Sequence, residues 1–227
     1  MPMTIGLLLF PNVQLLDLTG PYDVFAALPD ADVRLIWKDR APVRTSSGMW
    51  VTPDTTFVDC PALDVICVPG GSGGVEPLME DADTLAFLRA QAKQVRYLTS
   101  VCTGALVLGA AGLLRGRRAT THWAFHELLA PFGAIAEQAR VVRDGNLVTG
   151  GGITAGIDFA LTLAAELCGA EVAQSVQLQL EYAPAPPFDA GSPERAPAEL
   201  VAQARARSAP LLAQRRAIVE RAVAALG

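Results

Sequence analysis

The amino-acid sequence predicts an α/β protein with a flavodoxin-like, doubly wound and mostly parallel sheet that is covered by helices on both faces. A continuous apolar run at residues 5–10 reads as a strand buried on both faces of such a sheet, and residues 64–69 read as a further strand. A third segment, residues 96–101, is rich in residues that favour extended structure. Segments with helical patterns separate the strands, which is typical of repeated strand-helix units.

The first half of the chain begins with the strand at residues 5–10. Pro21 suits the first turn of a helix, with Thr19 or Gly20 as its cap and residues 23–28 as its continuation. A second strand is expected at residues 33–38. Residues 46–57 are polar and β-branched, which predicts a hairpin, and the strand at 64–69 ends in a glycine-rich loop, residues 69–74.

The second half continues the alternation of helices and strands. We expect helices at residues 83–94, 104–114 and 153–167. The pair Asp144-Gly145 predicts a tight turn between strands at residues 141–144 and 146–149. Cys102 falls between the strand at 96–101 and the following helix. Because ligands bind beyond the carboxyl ends of parallel strands, we expect this turn to lie at the functional edge of the sheet.

The chain length predicts a single domain over residues 1–227. Residues 181–227 are expected to form an extended and then helical tail, because prolines are frequent from Pro184 to Pro197 and the sequence from Glu199 is rich in alanine and charged residues. The remaining thirty or so residues are too few for a second domain. A tail that packs on its own domain or on a partner subunit is therefore expected.

The composition excludes several classes of function. A formal net charge of -5 argues against a nucleic-acid partner, which needs a basic face. The first ten residues lack the basic start of a signal peptide, and no apolar run approaches the length of about 20 residues that a membrane span needs. The four cysteines are widely spaced and form no CxxC pair, so we expect free thiols, no metal site and a cytoplasmic location.

Cys102 is the candidate nucleophile. A turn between a strand and a helix N-terminus presents backbone N–H groups that stabilise a thiolate, and it projects a side chain out of the sheet. The alternative is a small core cysteine, which is the expectation for Cys67 and Cys168. Cys60 precedes a proline and is expected in a loop without a chemical role.

Asp17 is the candidate general acid and base, because it is flanked by leucines in a segment that otherwise predicts burial. The alternative is a helix cap, for which Thr19 is better spaced. Gly70 and Gly71, together with the turn that contains Thr103, could offer backbone N–H groups to a developing negative charge.

Neither glycine-rich segment matches a nucleotide-binding pattern. The loop at residues 69–74 lacks the lysine of a phosphate-binding loop, and residues 150–156 miss the dinucleotide spacing, so close backbone packing explains the second segment better. His122 and His126 are four residues apart but do not form an H-E-x-x-H motif. His122 is expected either to orient a loop near the site or to be a structural histidine.

Several segments resemble the ThiJ/PfpI superfamily, which is class I glutamine amidotransferase-like. The resemblance covers nearly the whole chain. It is carried by residues 10–11, 16–21, 68–71 and 101–104. Within the superfamily, residues 120–123, 150–158 and 181–188 resemble the isocyanide hydratase family.

The resemblance implies a flavodoxin-like fold and a cofactor-independent lyase that hydrates an isocyanide to an N-substituted formamide through a covalent thioimidate. It implies that Cys102 is the nucleophile, that Asp17 transfers protons, and that Gly70, Gly71 and Thr103 line the substrate pocket. His122, Gly152 and Tyr182 are expected around these groups. It also implies a homodimer, and we expect the tail from Glu181 onward to help build the interface or cover the pocket.

Two alternatives remain open. The chain could carry another thiol-dependent activity of the superfamily, either glyoxalase-like or related to stress response. Peptidase activity is not expected, because Thr103 replaces the histidine that commonly follows the cysteine in the protease-like branch. Residues 120–123 and 151–156 also resemble the sensor domain of AraC-type regulators, so a non-catalytic ligand-sensing domain is the second alternative.

Overall fold

The computed structural model describes residues 2–227. Over this range the central sheet contains seven strands: β1 (Met3–Leu8), β2 (Ala31–Trp37), β5 (Thr55–Thr56), β6 (Val65–Val68), β7 (Tyr97–Val101), β10 (Val141–Asp144) and β11 (Leu147–Gly150). Their order across the sheet is β10-β11-β7-β6-β1-β2-β5. All neighbouring pairs are parallel except β10 and β11, which form an antiparallel pair around the turn at Asp144 and Gly145. The predicted mostly parallel α/β sheet is confirmed.

Two pairs of short strands lie outside this sheet. They are β3 (Val43–Arg44) with β4 (Trp50–Val51), and β8 (Arg118–Ala119) with β9 (Ile135–Ala136). The hairpin predicted at residues 46–57 is therefore displaced, because it joins β3 to β4 and ends at Val51. Thr55 and Thr56 instead extend the central sheet, where they pair in parallel with β2.

The helices form two groups. They are α1 (Leu15–Ala26), α2 (Val75–Leu78), α3 (Ala82–Ala92), α4 (Gly104–Ala110), α5 (Ala155–Cys168), α6 (Ala170–Gln179) and α7 (Ala198–Leu226). Helix α5 packs against α1 and α6, whereas α4 packs against α2, α3 and α7. Helix α6 was not predicted from the sequence.

The sheet interior is apolar, as the sequence patterns indicated. Every residue of β6 is buried, and Ile5, Leu7 and Leu8 of β1 have no exposed surface. Full burial of each such side chain contributes about 2 kcal/mol. Cys67 lies within β6 and belongs to this core, while Cys60 and Cys168 are only partly buried.

The start of α1 differs from the prediction. The helix begins at Leu15, with Gln14 in extended conformation before it, so Pro21 lies inside the helix and not in its first turn. Thr19 does not cap the helix, because its hydroxyl donates to the carbonyl oxygen of Leu15 at 3.0 Å. Asp17 consequently lies in the first helical turn and does not follow a strand directly. This placement sets the direction of its carboxyl group.

The tail packs on its own domain through α7. Arg215, Ile218, Val219 and Ala222 are buried, and α7 contacts α4 and the two 3-10 helices Trp123–Leu128 and Ala130–Phe132. Helix α7 runs through Pro210 without ending. Across residues 2–227, we find no helix that combines the length and the apolar character of a bilayer span.

Candidate active site

Cys102 forms a sharp turn between β7 and α4. Its backbone has φ of 55°, a left-handed conformation that costs a non-glycine residue of order 1–2 kcal/mol. Three contacts hold it there. The backbone N–H of Cys102 donates to the carbonyl oxygens of Gly150 and Gly151, at 3.1 and 2.8 Å. The hydroxyl of Thr121 donates to the carbonyl oxygen of Cys102 at 2.7 Å.

Gly104, which follows this turn, lies where the backbone at the start of α4 passes close to the backbone at the end of β6. A Cβ atom added to Gly104 would lie 1.9 Å from the carbonyl oxygen of Val68 and 2.8 Å from that of Pro69. No side chain fits at this distance. Gly104 therefore lets the start of α4 pass directly over the end of β6, which brings Cys102 beside the glycine-rich loop.

That loop positions Asp17. The carboxylate oxygen Oδ2 accepts a hydrogen bond from the backbone N–H of Gly70 at 2.9 Å, and Asp17 has no exposed surface. The second oxygen, Oδ1, has no hydrogen-bond partner within the described chain. Because a Cβ on Gly70 would lie 2.8 Å from Asp17 Oδ2 and 2.6 Å from Thr103 Oγ1, the glycine is needed for this approach.

Burial makes the ionised form of Asp17 costly. Its pKa rises from 3.8 to about 7, because desolvation outweighs the stabilising hydrogen bond from Gly70 and the contribution of the neighbouring Cys102 thiol. A carboxyl group with a pKa near neutrality accepts and releases protons readily at physiological pH. The environment thus suits Asp17 to general acid and base chemistry.

The position of Cys102 at a helix start predicted a lowered pKa for its thiol, but the pKa is raised. Burial and the neighbouring Asp17 charge raise the pKa of Cys102 well above its usual value, and they outweigh the lowering effects of the Thr103 N–H and the Arg215 charge. Helix α4 has only seven residues and offers limited compensation. Two adjacent buried acids titrate as a pair, and the Asp17 charge disfavours ionisation of the Cys102 thiol.

Both backbone N–H groups of the Gly70-Gly71 pair have acceptors. That of Gly70 donates to Asp17, and that of Gly71 donates to the hydroxyl oxygen of Thr103 at 3.3 Å. Thr103 is 2% exposed and carries its own N–H beside the sulfur. These contacts connect the loop to the Cys102 turn, while the predicted binding of a developing negative charge by Gly70 and Gly71 stays a prediction.

His122 and Gly152 lie together at the wall of a cavity of about 360 Å³. A Cβ on Gly152 would lie 3.1 Å from the His122 ring, and Nδ1 of His122 accepts from the backbone N–H of Ala124 at 3.2 Å. Burial, with the Arg215 charge, lowers the pKa of His122, so the ring is neutral at neutral pH. Thr121 and Gly151, which hold the Cys102 turn, also line this cavity.

Tyr182 lies elsewhere. Its hydroxyl donates to Oδ2 of Asp158 in α5 at 3.0 Å, and it lines a separate cavity together with Leu16 and Thr19 of α1. Neither its hydrogen bonds nor this cavity includes Cys102 or Asp17. The structure therefore brings Asp17, Gly70, Gly71, Cys102 and Thr103 together, with His122 and Gly152 at the adjoining cavity.

Arg215 was not predicted from the sequence, although its charge lowers the pKa of both Cys102 and His122. The sequence did indicate that Arg215 is buried, because it lies on one helical face with the apolar residues Ile218, Val219 and Ala222. Thr121 was also missed as a residue that holds the Cys102 turn. Over residues 2–227 no group of three His, Cys, Asp or Glu side chains has a metal-binding arrangement.

Comparison with known proteins shows similarity along nearly the whole chain. The chain is 68% identical over 226 residues to isonitrile hydratase of Pseudomonas putida, a match that covers 100% of this chain and 99% of that protein. A ThiJ/PfpI family protein from Pseudomonas syringae has a similar crystal structure, with a TM-score of 0.94, 42% identity, and coverage of 96% of this chain and 91% of that one.

A more distant relative is the HTH-type transcriptional regulator GbdR of Pseudomonas aeruginosa, which is 32% identical over 80% of this chain and 51% of that protein. The profile of the DJ-1/PfpI family matches residues 3–166, which include the Cys102 turn, Asp17 and the Gly70-Gly71 loop. The chain therefore belongs to the DJ-1/PfpI family.

Proposed function

We propose that this protein is an isocyanide hydratase, which adds water to R–N≡C and releases the formamide R–NH–CHO. The observation that carries the proposal is the buried pair of Asp17 and Cys102, in which a carboxyl group with a pKa of about 7 lies beside a thiol on a strained turn. The 68% identity to a full-length isonitrile hydratase supports the same activity, since isonitrile and isocyanide are two names for one functional group.

The first step is the addition of the thiol across the terminal carbon. Asp17 takes the proton of Cys102, the sulfur attacks the terminal carbon of R–N≡C, and the same proton passes from Asp17 to that carbon. The product is the thioimidate R–N=CH–S–Cys102. Covalent catalysis of this kind divides one difficult hydration into two easier steps. The Gly70 N–H holds the carboxyl group in place throughout.

The second step is hydrolysis of the thioimidate. Water attacks the carbon while Asp17 accepts one of its protons and returns it to the nitrogen, which gives R–NH–CH(OH)–S–Cys102. Cleavage of the carbon–sulfur bond then releases R–NH–CHO, and the hydroxyl proton returns to the Asp17–Cys102 pair. The atoms balance, and the enzyme returns to its starting state without an oxidant or a reductant.

We place the R group in the cavity that His122 and Gly152 border. Two residues of its wall, Thr121 and Gly151, are hydrogen-bonded to the backbone of Cys102. A neutral His122 is compatible with an uncharged substrate. The roles assigned to Asp17, Cys102, Thr103 and the glycines are part of this proposal, as are a cytoplasmic location and a homodimer.

The experiment is a steady-state assay with a simple alkyl isocyanide in which formamide production is measured directly. Methylglyoxal serves as the comparison substrate for a glyoxalase-like activity. We expect turnover of the isocyanide only. Saturable binding of the isocyanide without turnover would contradict the proposal and favour the ligand-sensing alternative, and turnover of methylglyoxal alone would favour the other thiol chemistry.

A further inference from the structure

Arg215 is a buried cation that the reaction steps above do not use. It lies in α7, about a hundred residues beyond the Cys102 turn in sequence, and it has no exposed surface. Among the described residues, only three charged side chains fall in the buried class, namely Asp17, Glu76 and Arg215. A buried guanidinium is costly unless it is paired, so its position calls for an explanation.

The contacts of Arg215 neutralise its charge only in part. The Nε atom donates to Oε1 of Glu76 at 2.7 Å, and the guanidinium carbon lies 4.0 Å from the centre of the Phe125 ring. Within residues 2–227 the atoms Nη1 and Nη2 have no acceptor, and Oε2 of Glu76 has no donor. A two-point arginine–carboxylate pair would use one of these Nη groups and that oxygen. The two Nη atoms therefore have no acceptor in the part of the chain that the structure describes, and the positive charge of the guanidinium is only partly balanced.

Both contacts connect Arg215 to segments that border the Cys102 turn. Glu76 lies in α2, which follows the loop containing Gly70 and Gly71. The Phe125 ring is 5.8 Å from the ring of His122 at the wall of the cavity. Helix α7 also packs against α4, the helix that Cys102 precedes. Arg215 therefore lies in a helix that packs against α4, and both of its partners belong to segments next to the site.

We propose that Arg215 is a positioning residue whose buried positive charge, held by Glu76 and Phe125, favours the ionised form of Cys102. A negative sulfur is disfavoured at this place because water is excluded and because a carboxyl group lies beside it. A cation in a water-poor interior is screened weakly, so it acts over a longer distance than on the surface. The direction of the Arg215 effect on the pKa of Cys102, which is downward, agrees with this role.

The groups around Cys102 leave Arg215 as the positive charge that acts on the sulfur. Asp17 from α1 is neutral or negative. His122, which precedes the 3-10 helix Trp123–Leu128, is neutral because its pKa is lowered. Cys67 from β6 stays protonated, since burial raises its pKa to about 12. Glu76 from α2 is paired with Arg215 through its Oε1 atom.

The test measures the ionisation of Cys102 itself, without isocyanide. The rate of Cys102 alkylation by iodoacetamide is followed from about pH 6 to pH 11, with the modified peptide identified by mass. Arg215→Met should reduce the rate at pH 8 by about tenfold, which corresponds to a rise of one unit in the pKa of the thiol. Glu76→Gln should have the opposite effect and increase the rate, because it removes only the counter-charge.

Controls separate charge from packing. The double variant Arg215→Met/Glu76→Leu removes both charges and avoids an unpaired buried carboxylate, so it decides the question even if Arg215→Met alone does not fold. The folded double variant should be alkylated more slowly than Glu76→Gln, from which it differs by the Arg215 charge, and Arg215→Lys should be alkylated faster than Arg215→Met. Arg221 lies in the same helix as Arg215 and forms an exposed ion pair with Glu80. Arg221→Met should leave the pH dependence of Cys102 alkylation unchanged.

Equal alkylation profiles in the folded double variant and in Glu76→Gln would overturn the inference, and so would shifts of the same sign in Glu76→Gln and Arg215→Met. It rests on the proposed function only in taking Cys102 as the nucleophile. The two fail separately, because a protein that leaves isocyanides unchanged but shows the expected thiol shifts would refute the proposed substrate and retain the role of Arg215.

Discussion

Replacement of Asp17 by asparagine tests both the raised pKa of Asp17 and its proposed role in proton transfer, through protein stability and through activity. The pKa of Asp17 rises from 3.8 to about 7 on folding, and one unit corresponds to about 1.4 kcal/mol, so ionised Asp17 destabilises the fold by up to about 4 kcal/mol above neutrality. The stability that neutral Asp17 provides is complete below about pH 4 and is lost as the pH rises through about 7. Asparagine keeps the shape and the acceptor for the Gly70 N–H but does not ionise.

Asp17→Asn should therefore unfold at the same denaturant concentration as the unmodified protein near pH 4 and be more stable by about 2–4 kcal/mol near pH 8. Its isocyanide turnover should fall by about 10²–10⁴, the usual effect of a positioned acid or base. Urea unfolding at the two pH values and the formamide assay measure both effects. A stability difference that does not vary with pH, or turnover within tenfold of the unmodified protein, would refute the assignment of Asp17.

The remaining predictions concern the nucleophile, its turn and the assembly. Cys102→Ala should fold and lose isocyanide turnover, and Cys102→Ser should be nearly inactive because an alcohol ionises far less readily; turnover by the folded alanine variant would exclude a covalent mechanism. Gly104→Ala should destabilise the folded protein by more than about 2 kcal/mol, since its Cβ would lie 1.9 Å from the Val68 carbonyl oxygen. Gly191→Ala is the control: nothing lies within 4 Å of the added Cβ, so the stability should change by less than about 0.5 kcal/mol. Light scattering should give twice the mass of one chain, with weaker association after Phe188→Ser because Phe188 is 78% exposed in the single chain; a monomer at assay concentrations would contradict the proposed dimer.

The sequence alone was sufficient for the fold class and for the place of Cys102. Continuous apolar runs identified the parallel strands at β1 and β6, and the small residues after β7 identified the turn into α4. These features depend on neighbouring residues, which determine whether a segment is extended or helical and whether both its faces are buried. For the same reason the turn at Asp144 and Gly145 was predicted correctly, since its signal lies in two adjacent residues.

Only the tertiary structure decided the protonation of the site and the residues that control it. The pKa of Asp17 depends on its burial and on a hydrogen bond from Gly70, 53 residues away in the sequence. The pairing of Arg215 with Glu76 joins positions 139 residues apart. Local pattern carries no information on such pairs, because the cost of a buried charge is set by every segment that excludes water from it. The assembled fold therefore decided that the Cys102 thiol is difficult to ionise and that Arg215 is buried with Glu76 in the helices next to it.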